Sequence, residues 1–177
     1  GHGDKPELIR AQGEALGLPV EFIACAFASY TEDYIEALHE CKTSRGLDGI
    51  AFGDLFLAEH RRWGTGVAEA AGLEALYPLW MEPEGTKDAL LAFVESGYRA
   101  IVIRVRDGKL GAEWLGREVG RSFFEDIVRE PDICPMGEGG EYHTFVYDGP
   151  RFRHPVRVTP GEVLQLETTK RLELRLG

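Results

Sequence analysis

The stretch GEGGEYHTFVYDGP, residues 137–150, places three glycines, two glutamates and a histidine within seven residues, then continues as a short strand that ends in a turn. Glycine adopts positive φ readily and lets the backbone approach a ligand, but it loses more conformational entropy on folding than any other residue. Two carboxylates held close together also repel each other. A loop with these costs is a candidate functional site. A solvated hairpin with ordinary surface glutamates is the alternative that the spacing leaves open.

Several kinds of chemistry fit this loop. Glu138 and Glu141 could bind a metal, hold an ammonium-bearing substrate, or act as acid and base. His143 adds a group that exchanges protons near neutral pH. Cys134 lies three residues before the loop and is placed to line the same site.

Composition restricts the class of protein. Of the 177 residues, 44% are apolar and 28% charged, which is typical of one ordinary soluble domain or two small ones. No apolar run approaches the roughly 18 residues of a membrane span. Three cysteines without CxxC spacing favour a reducing compartment, so we predict a cytoplasmic protein.

The net charge of −10 argues against general nucleic-acid binding, because such a surface repels phosphate backbones. A small anion such as ATP is still possible. It would need Mg²⁺, a helix N-terminus or a local basic pocket.

The pattern of elements predicts two parts with a boundary near residues 80–86. In the first part helices and strands alternate, which favours an α/β fold with parallel strands. The predicted elements are a helix over 6–16 capped by Asp4, a buried strand over 20–28, a helix over 31–43, a strand over 47–55 and a helix over 56–71. In the second part a helix over 86–96, a strand over 98–105 and a mostly helical segment over 113–129 precede short alternating segments, which predict an antiparallel sheet.

A second candidate site lies where the strand over 47–55 ends. Ligands of α/β proteins bind at the carboxyl ends of parallel strands. Gly53 would allow close approach of a ligand, and Asp54 could hold Mg²⁺ or a ribose. A plain helix N-cap is the simpler interpretation of Asp54.

Two further side chains near this site have both functional and ordinary interpretations. Arg61 lies one or two turns into the next helix and could reach a phosphate, or form a surface salt bridge. Trp80, in the segment YPLW, could wall a pocket or face a quaternary ammonium, or simply pack in the core.

The segments GDLFLAEHRRW, YPLW and GEGGEYHTFVYDGP, in this order and spacing, resemble the ATP-pyrophosphatase-like family that includes the diphthine–ammonia ligases. HGDKPELIRAQGEALGLPV is similar to the helix and strand that follow that family's first βαβ unit. The resemblance extends over nearly the whole chain. It implies an α/β fold in which residues 1–82 are the remainder of a Rossmann-like adenine nucleotide alpha-hydrolase domain, with its first βα unit missing. Residues 83–177 would form a smaller α+β substrate-binding domain.

The resemblance also implies an activity. Family members use ATP, with Mg²⁺, to adenylate a substrate carboxylate, release pyrophosphate and form an amide with ammonia. For the best-known members the carboxylate belongs to diphthine, a modified histidine of elongation factor 2. A homodimer is a further expectation, and neither a nucleic acid nor a membrane is an expected partner.

Carried onto this sequence, the family motifs assign roles to named positions. The implied catalytic residues are Glu138, Glu141 and His143. The implied nucleotide-binding residues are Gly53, Asp54 and Arg61, with Asp54 also a possible Mg²⁺ ligand. The implied substrate-binding residues are Gly137, Gly139, Gly140, Tyr142, Thr144, Trp80 and Cys134.

The sequence departs from the family in two places. It lacks the SGGKDS-type pyrophosphate loop, and Pro135 and Met136 stand between Cys134 and the glycine-rich loop. We therefore expect a fragment of a ligase. A non-catalytic nucleotide- or metabolite-binding module that has lost the loop is the alternative, and a hydrolase that uses the two carboxylates is a third.

We predict that these 177 residues alone bind ATP weakly and consume it slowly. Without the pyrophosphate loop, no row of backbone N–H groups and no lysine would cradle the phosphates. Measured ATP consumption by the purified chain checks this, and rapid turnover would contradict it.

Overall fold

The computed structural model describes residues 5–177. Asp4, the predicted cap of the first helix, lies outside the described residues. The chain divides into two units, one of residues 21–83 and the other of residues 84–177 together with the segment that ends at Val20.

The unit of residues 21–83 is built around a small parallel sheet. The first helix of the chain, α1 (Pro6–Leu16), belongs to the other unit. The unit of residues 21–83 contains α2 (Tyr30–Arg45), β1 (Gly49–Ala51), α3 (Ala58–Ala70) and β2 (Glu74–Leu76). β1 and β2 pair in parallel, with Ile50 opposite Ala75. β1 lies within the strand predicted over 47–55, and the predicted parallel pairing occurs, but its partner β2 was not among the predicted strands. The buried core of this unit consists of Leu38, Val67, Ala68, Ala71 and Leu73.

The predicted buried strand over 20–28 is wrong. This segment has no strand structure and is mostly exposed, with Phe22 49% and Phe27 103% exposed. A strand needs a neighbour for its backbone hydrogen bonds. Among the described residues the parallel sheet consists of β1 and β2 alone, which pair with each other, and residues 20–28 are not part of it.

The other unit holds a four-stranded antiparallel sheet, as the alternating segments predict. Its strands are β3 (Arg99–Arg106), β4 (Tyr142–Asp148), β5 (Val158–Gln165) and β6 (Thr169–Leu176). Their order is β4-β3-β6-β5, so β3 is an interior strand. Helices α4 (Thr86–Glu95) and α5 (Arg121–Ile127) belong to the same unit. The chain as a whole is a mixed α/β structure with one parallel and one antiparallel sheet.

Apolar side chains cover both faces of β3. Ala100 and Val102 pack with residues of α4 and α5, whereas Ile101 and Ile103 pack in a second cluster with residues of α1. Successive side chains of a strand point to opposite faces, so each cluster lies on one side of the sheet.

The position of α1 differs from the domain division expected from sequence, which grouped residues 1–82 together. Leu8 and Ala15 of α1 are 3% and 0% exposed in the cluster that includes Ile101. Gln12 Nε2 also donates a hydrogen bond of 2.7 Å to the carbonyl oxygen of Val146 in β4. The apolar stripe of α1 is thus buried against the antiparallel sheet.

The predicted helix over 113–129 is only partly correct. A 3₁₀ turn over Ala112–Trp114 is followed by a segment that runs beside β3, and the α-helix begins at Arg121. Val102 N–H donates to the carbonyl of Arg117 at 2.9 Å, and Val119 N–H donates to that of Ala100 at 2.8 Å. Gly116, with φ of +79°, turns the chain into this path.

None of the helices within residues 5–177 combines the length and hydrophobicity that crossing a bilayer requires.

We expect Phe123→Ala to lower the free energy of unfolding by about 3–5 kcal/mol, because Phe123 is 1% exposed and its removal leaves a cavity. Phe27→Ala is the matched control. That side chain is 103% exposed, so its loss should change the free energy by less than about 0.5 kcal/mol. Urea denaturation followed by circular dichroism measures both, and equal effects would contradict the assignment of the core.

Candidate functional site

The glycine-rich loop is a pair of tight turns that leads into β4. Gly137 N–H donates to the carbonyl of Cys134 at 2.8 Å, and Gly140 N–H donates to that of Gly137 at 2.9 Å. Gly137 and Gly140 have φ values of +69° and +74°. Residues with a Cβ rarely adopt this left-handed conformation, so the turns explain two of the three glycines.

Close packing explains the glycines further. A Cβ on Gly137 would lie 2.9 Å from the carbonyl oxygen of Tyr142, and one on Gly139 would lie 2.8 Å from Glu141 Oε1. The loop therefore closes tightly on the residues that follow it.

The two glutamates of the loop have different surroundings. Glu138 is partly exposed, whereas Glu141 is 7% exposed. Glu141 Oε1 accepts a hydrogen bond of 3.0 Å from the backbone N–H of Cys134. Its Oε2 is buried and has no hydrogen-bond partner among the described residues. A buried acceptor without a donor is costly. An N–H or O–H donor of a ligand would remove that cost.

Tyr142 connects the loop to the core through one hydrogen bond and one aromatic contact. Its hydroxyl donates a hydrogen bond of 2.5 Å to the carbonyl of Pro135, and its ring lies edge-on to Phe123 at a centroid distance of 5.4 Å. Burial, reinforced by Cys134 and Glu141, raises the pKa of Tyr142 well above its ordinary value. The hydroxyl therefore remains a hydrogen-bond donor at neutral pH. His143 and Thr144, the next residues of β4, are partly buried.

The sites predicted at the end of β1 lie in the unit of residues 21–83. His60 Nδ1 lies 2.9 Å from Asp54 Oδ1. Asp54 is not a helix N-cap, because that position of α3 is Leu57. Asp54 instead faces an open pocket of about 320 Å³, lined by Tyr30, Phe52, Asp54, Glu59, His60 and Trp63. A Cβ on Gly53 would meet no atom within 4 Å, so packing does not require glycine there.

Arg61 and Trp80 contact each other in the same unit. The guanidinium carbon of Arg61 lies 4.6 Å from the centroid of the Trp80 ring and 5.3 Å from that of Tyr77. This is a cation–π arrangement. Tyr77 also donates its hydroxyl hydrogen to the carbonyl of Arg61 at 2.8 Å. The salt bridge considered for Arg61 does not form with any residue that the structure describes.

The predicted site residues thus fall into two groups, one in each unit. The antiparallel unit holds Cys134, Gly137, Glu138, Gly139, Gly140, Glu141, Tyr142, His143 and Thr144. The unit of residues 21–83 holds Gly53, Asp54, Arg61 and Trp80. Sequence reasoning missed the pocket residues Tyr30, Phe52 and Trp63. Their only sequence signal was their aromatic character on elements that flank Gly53.

The side chains at Asp54 do not form a complete metal site by themselves. Within residues 5–177, no three His, Cys, Asp or Glu side chains come together as metal ligands. Protein-bound Mg²⁺ often has only one or two carboxylate ligands, with substrate phosphates and water completing its shell. One carboxylate at Asp54 fits an ion that arrives with a phosphate-bearing substrate.

The sequence model of the diphthamide synthase C-terminal domain family matches residues 85–173, about half of the chain. The chain belongs to this family. The family match includes the glycine-rich loop, α4, α5 and strands β3 to β5.

Curated relatives carry a related name. The chain is 28% identical over 138 residues to a diphthine–ammonia ligase of Schizosaccharomyces pombe, covering 76% of this chain and 22% of that protein. It is 28% identical over 136 residues to the Bos taurus protein of the same name, and 27% identical over 136 residues to that of Homo sapiens. Each of these two matches covers 75% of this chain and 50% of the relative. The chain therefore spans about half the length of the mammalian relatives, and less of the yeast one.

We expect Gly137→Ala to destabilise the protein by more than Gly108→Ala. Both glycines have positive φ, at +69° and +75°. A Cβ on Gly108 meets no atom within 4 Å, whereas one on Gly137 meets backbone at 2.9 Å. Gly108→Ala should cost about 1 kcal/mol from backbone strain alone, and Gly137→Ala about 2–3 kcal/mol. Urea denaturation measures both, and equal costs would show that the loop is not tightly closed.

Proposed function

We propose that this protein is an ATP-dependent ligase that converts a substrate carboxylate into an amide with ammonia. The family and the names of the relatives support a role in diphthamide synthesis. The proposal rests chiefly on Glu141. Its carboxylate is buried within the glycine-rich loop, and one of its oxygens, Oε2, has no hydrogen-bond donor among the described residues. Ammonia or ammonium is a small N–H donor that suits such an oxygen.

The proposal gives the two units different tasks. The parallel β1-α3-β2 arrangement supports a nucleotide-binding part of the Rossmann-like adenine nucleotide alpha-hydrolase type, proposed from sequence for residues 1–82 and centred on the unit of residues 21–83. Gly53, Asp54 and Arg61 would contact ATP there, and Asp54 would share a Mg²⁺ ion with its phosphates. Residues 83–177 would bind the carboxylate substrate, with Trp80 at the boundary of the two segments.

The proposed reaction has two successive nucleophilic substitutions. ATP, as co-substrate, supplies an adenylyl group. A carboxylate oxygen displaces pyrophosphate, and the nitrogen of ammonia then displaces AMP and loses a proton as the amide forms.

Residues of the glycine-rich loop would orient the second step. Glu141 Oε2 accepts a hydrogen bond from the incoming nitrogen and keeps it in place. Its other oxygen is already engaged by Cys134 N–H, which fixes the carboxylate. Glu138, which is partly exposed, would contact the substrate at the surface of the loop. His143 would accept the proton that the nitrogen releases.

The remaining residues would shape the substrate site. Gly137, Gly139 and Gly140 permit the close backbone approach, while Tyr142, Thr144 and Cys134 form its sides. Diphthine carried by elongation factor 2 is the proposed substrate, and the cytoplasmic location and the homodimer belong to the same proposal.

The decisive measurement is product identity. Protein produced from its whole reading frame is incubated with ATP, Mg²⁺, ammonium and either diphthine-bearing elongation factor 2 or a panel of small carboxylic acids. We expect AMP and pyrophosphate. Glu141→Gln should reduce their formation by about 10²-fold or more, because the neutral glutamine side chain would bind the incoming nitrogen more weakly than the carboxylate does. Glu138→Gln should also reduce it. The matched control Glu162→Gln changes an exposed glutamate of β5 and should have no effect.

Three outcomes would contradict the proposal. ADP with phosphate would indicate phosphatase-like chemistry, and nucleotide binding without products would indicate a non-catalytic module. Unchanged activity in both Glu138→Gln and Glu141→Gln would remove these residues from the mechanism.

A further inference from the structure

Three basic side chains lie in a row across the middle of the antiparallel sheet. Arg104 of β3 is directly opposite His143 of β4 on one side and Arg171 of β6 on the other. Like charges directly opposite each other on neighbouring strands destabilise a sheet. The chain as a whole carries a net charge of −10, so a row of basic side chains is not explained by its overall composition.

Arg104 lacks the compensation that a structural arginine would have. Arg171 forms an ion pair of 2.6 Å with Glu173, and Lys5 forms one of 2.8 Å with the same carboxylate. Arg104 makes no side-chain hydrogen bond or ion pair with any residue in the described part of the chain, and its Nε is buried. A buried donor without an acceptor costs free energy, and more so when it is charged.

The row is accessible to a small molecule. Arg104 and His143 are partly exposed, and the Arg171 side chain is 22% exposed. The planar guanidinium of arginine binds carboxylate and phosphate groups through two parallel hydrogen bonds. A bound oxyanion would accept hydrogen bonds from the partly exposed Arg104 guanidinium and relieve the repulsion between Arg104 and Arg171.

We propose that His143, Arg104 and Arg171 form an oxyanion subsite that holds a carboxylate or phosphate group of a small ligand, with Arg104 as its principal contact. His143 follows Glu141 by two residues. The same segment would thus present an acceptor for ammonia and donors for the group with which ammonia reacts. The inference deepens the proposed function and rests on it for the identity of the ligand, but the existence of the subsite is tested independently.

The test is thermal unfolding of the protein in increasing inorganic phosphate or acetate, at constant ionic strength set with sodium chloride. A ligand that binds only the folded state raises Tm, by about 5–10 °C at 100 times its dissociation constant for a protein of this size. We expect this shift for the unmodified protein and its absence in Arg104→Met. A shift with phosphate identifies a phosphate group as the ligand, and a shift with acetate identifies a carboxylate.

Arg99→Met is the matched control. Arg99 lies on the same strand, its side chain is 54% exposed, and it pairs with Glu118 away from the row. The substitution removes the same charge, so the anion-dependent shift should persist. Without added anion, Arg104→Met should also unfold at the same Tm as the unmodified protein or higher, because the loss of an unpaired cation relieves repulsion.

The inference is overturned if neither anion shifts Tm, or if Arg104→Met keeps the full shift. A lower Tm of Arg104→Met without anion would show that Arg104 stabilises the sheet, which also overturns the inference.

If Arg104→Met does not fold, the same measurement on Arg104→Lys tests the inference. This variant keeps the charge but loses the planar fork, so a need for roughly tenfold more anion supports the subsite, and an unchanged requirement overturns it. No turnover is measured, so this result and the product assay can succeed or fail separately.

Discussion

The burial of β3 on both faces is the constraint on which the antiparallel unit depends. Val102 and Val105 are 0% exposed, and Ile103 is 3% exposed. From Ala100 to Ile103 successive side chains alternate between the two clusters. An irregularity in the pairing with β4 between Val102 and Arg104 returns Val105 to the cluster of Ala100 and Val102. A shift of one residue would move these apolar side chains to the wrong face. The register with β4 is therefore strictly set. Val105 lies opposite Tyr142, and Arg106 N–H donates to the carbonyl of Glu141 at 2.9 Å. The end of the glycine-rich loop is thereby fixed to a strand that is buried on both faces.

Several features that lower the stability of the fold lie near this end of β3 and β4. Two glycines adopt positive φ, Glu141 has a buried oxygen without a donor, and Arg104 has a buried nitrogen without an acceptor. The apolar clusters on the two faces supply the stability that offsets these costs. Natural proteins tend to violate local rules at functional sites rather than at random. An unsatisfied acceptor on the residue that precedes β4 and an unsatisfied donor on the neighbouring strand β3 support a ligand with groups of both kinds.

The unit of residues 21–83 has a different arrangement of polar groups. Its aromatic side chains form a cluster in which Trp63 lies 5.9 Å from Tyr30 and 5.3 Å from Tyr34, measured between ring centroids. Asp54 and His60 lie at the rim of the pocket beside this cluster. Aromatic walls with the carboxylates of Asp54 and Glu59 suit the stacking of a planar ring and polar contacts at its edge. The pocket thus adds to the support for a nucleotide at the end of β1.

Much of the local structure could be predicted from the sequence, because it depends on neighbours along the chain. The helices α2, α3 and α4, the strand β1 and the antiparallel strands follow from apolar periodicity and from glycines such as Gly46 and Gly72, both at positive φ. The loop over 137–141 was also recognisable, since its glycines reflect backbone conformations that only glycine adopts easily. These features require no knowledge of distant contacts.

Features that depend on contacts between residues far apart in the chain could be seen only in the folded structure. Residues 20–28 have strand-like composition, but no strand within residues 5–177 pairs with them. Gly116 ends a helical pattern, and the chain then runs beside β3. Glu138 and Glu141 look equivalent in sequence, yet only Glu141 is buried, because its side chain turns inward to Cys134 N–H. Arg104 gave no signal at all, since its significance lies in the residues opposite it on β4 and β6. Local sequence is sufficient to specify which segments can form helices, strands and tight glycine turns. Only the folded sheet decided which charges are buried and left without partners, because burial and pairing depend on residues far apart in the chain.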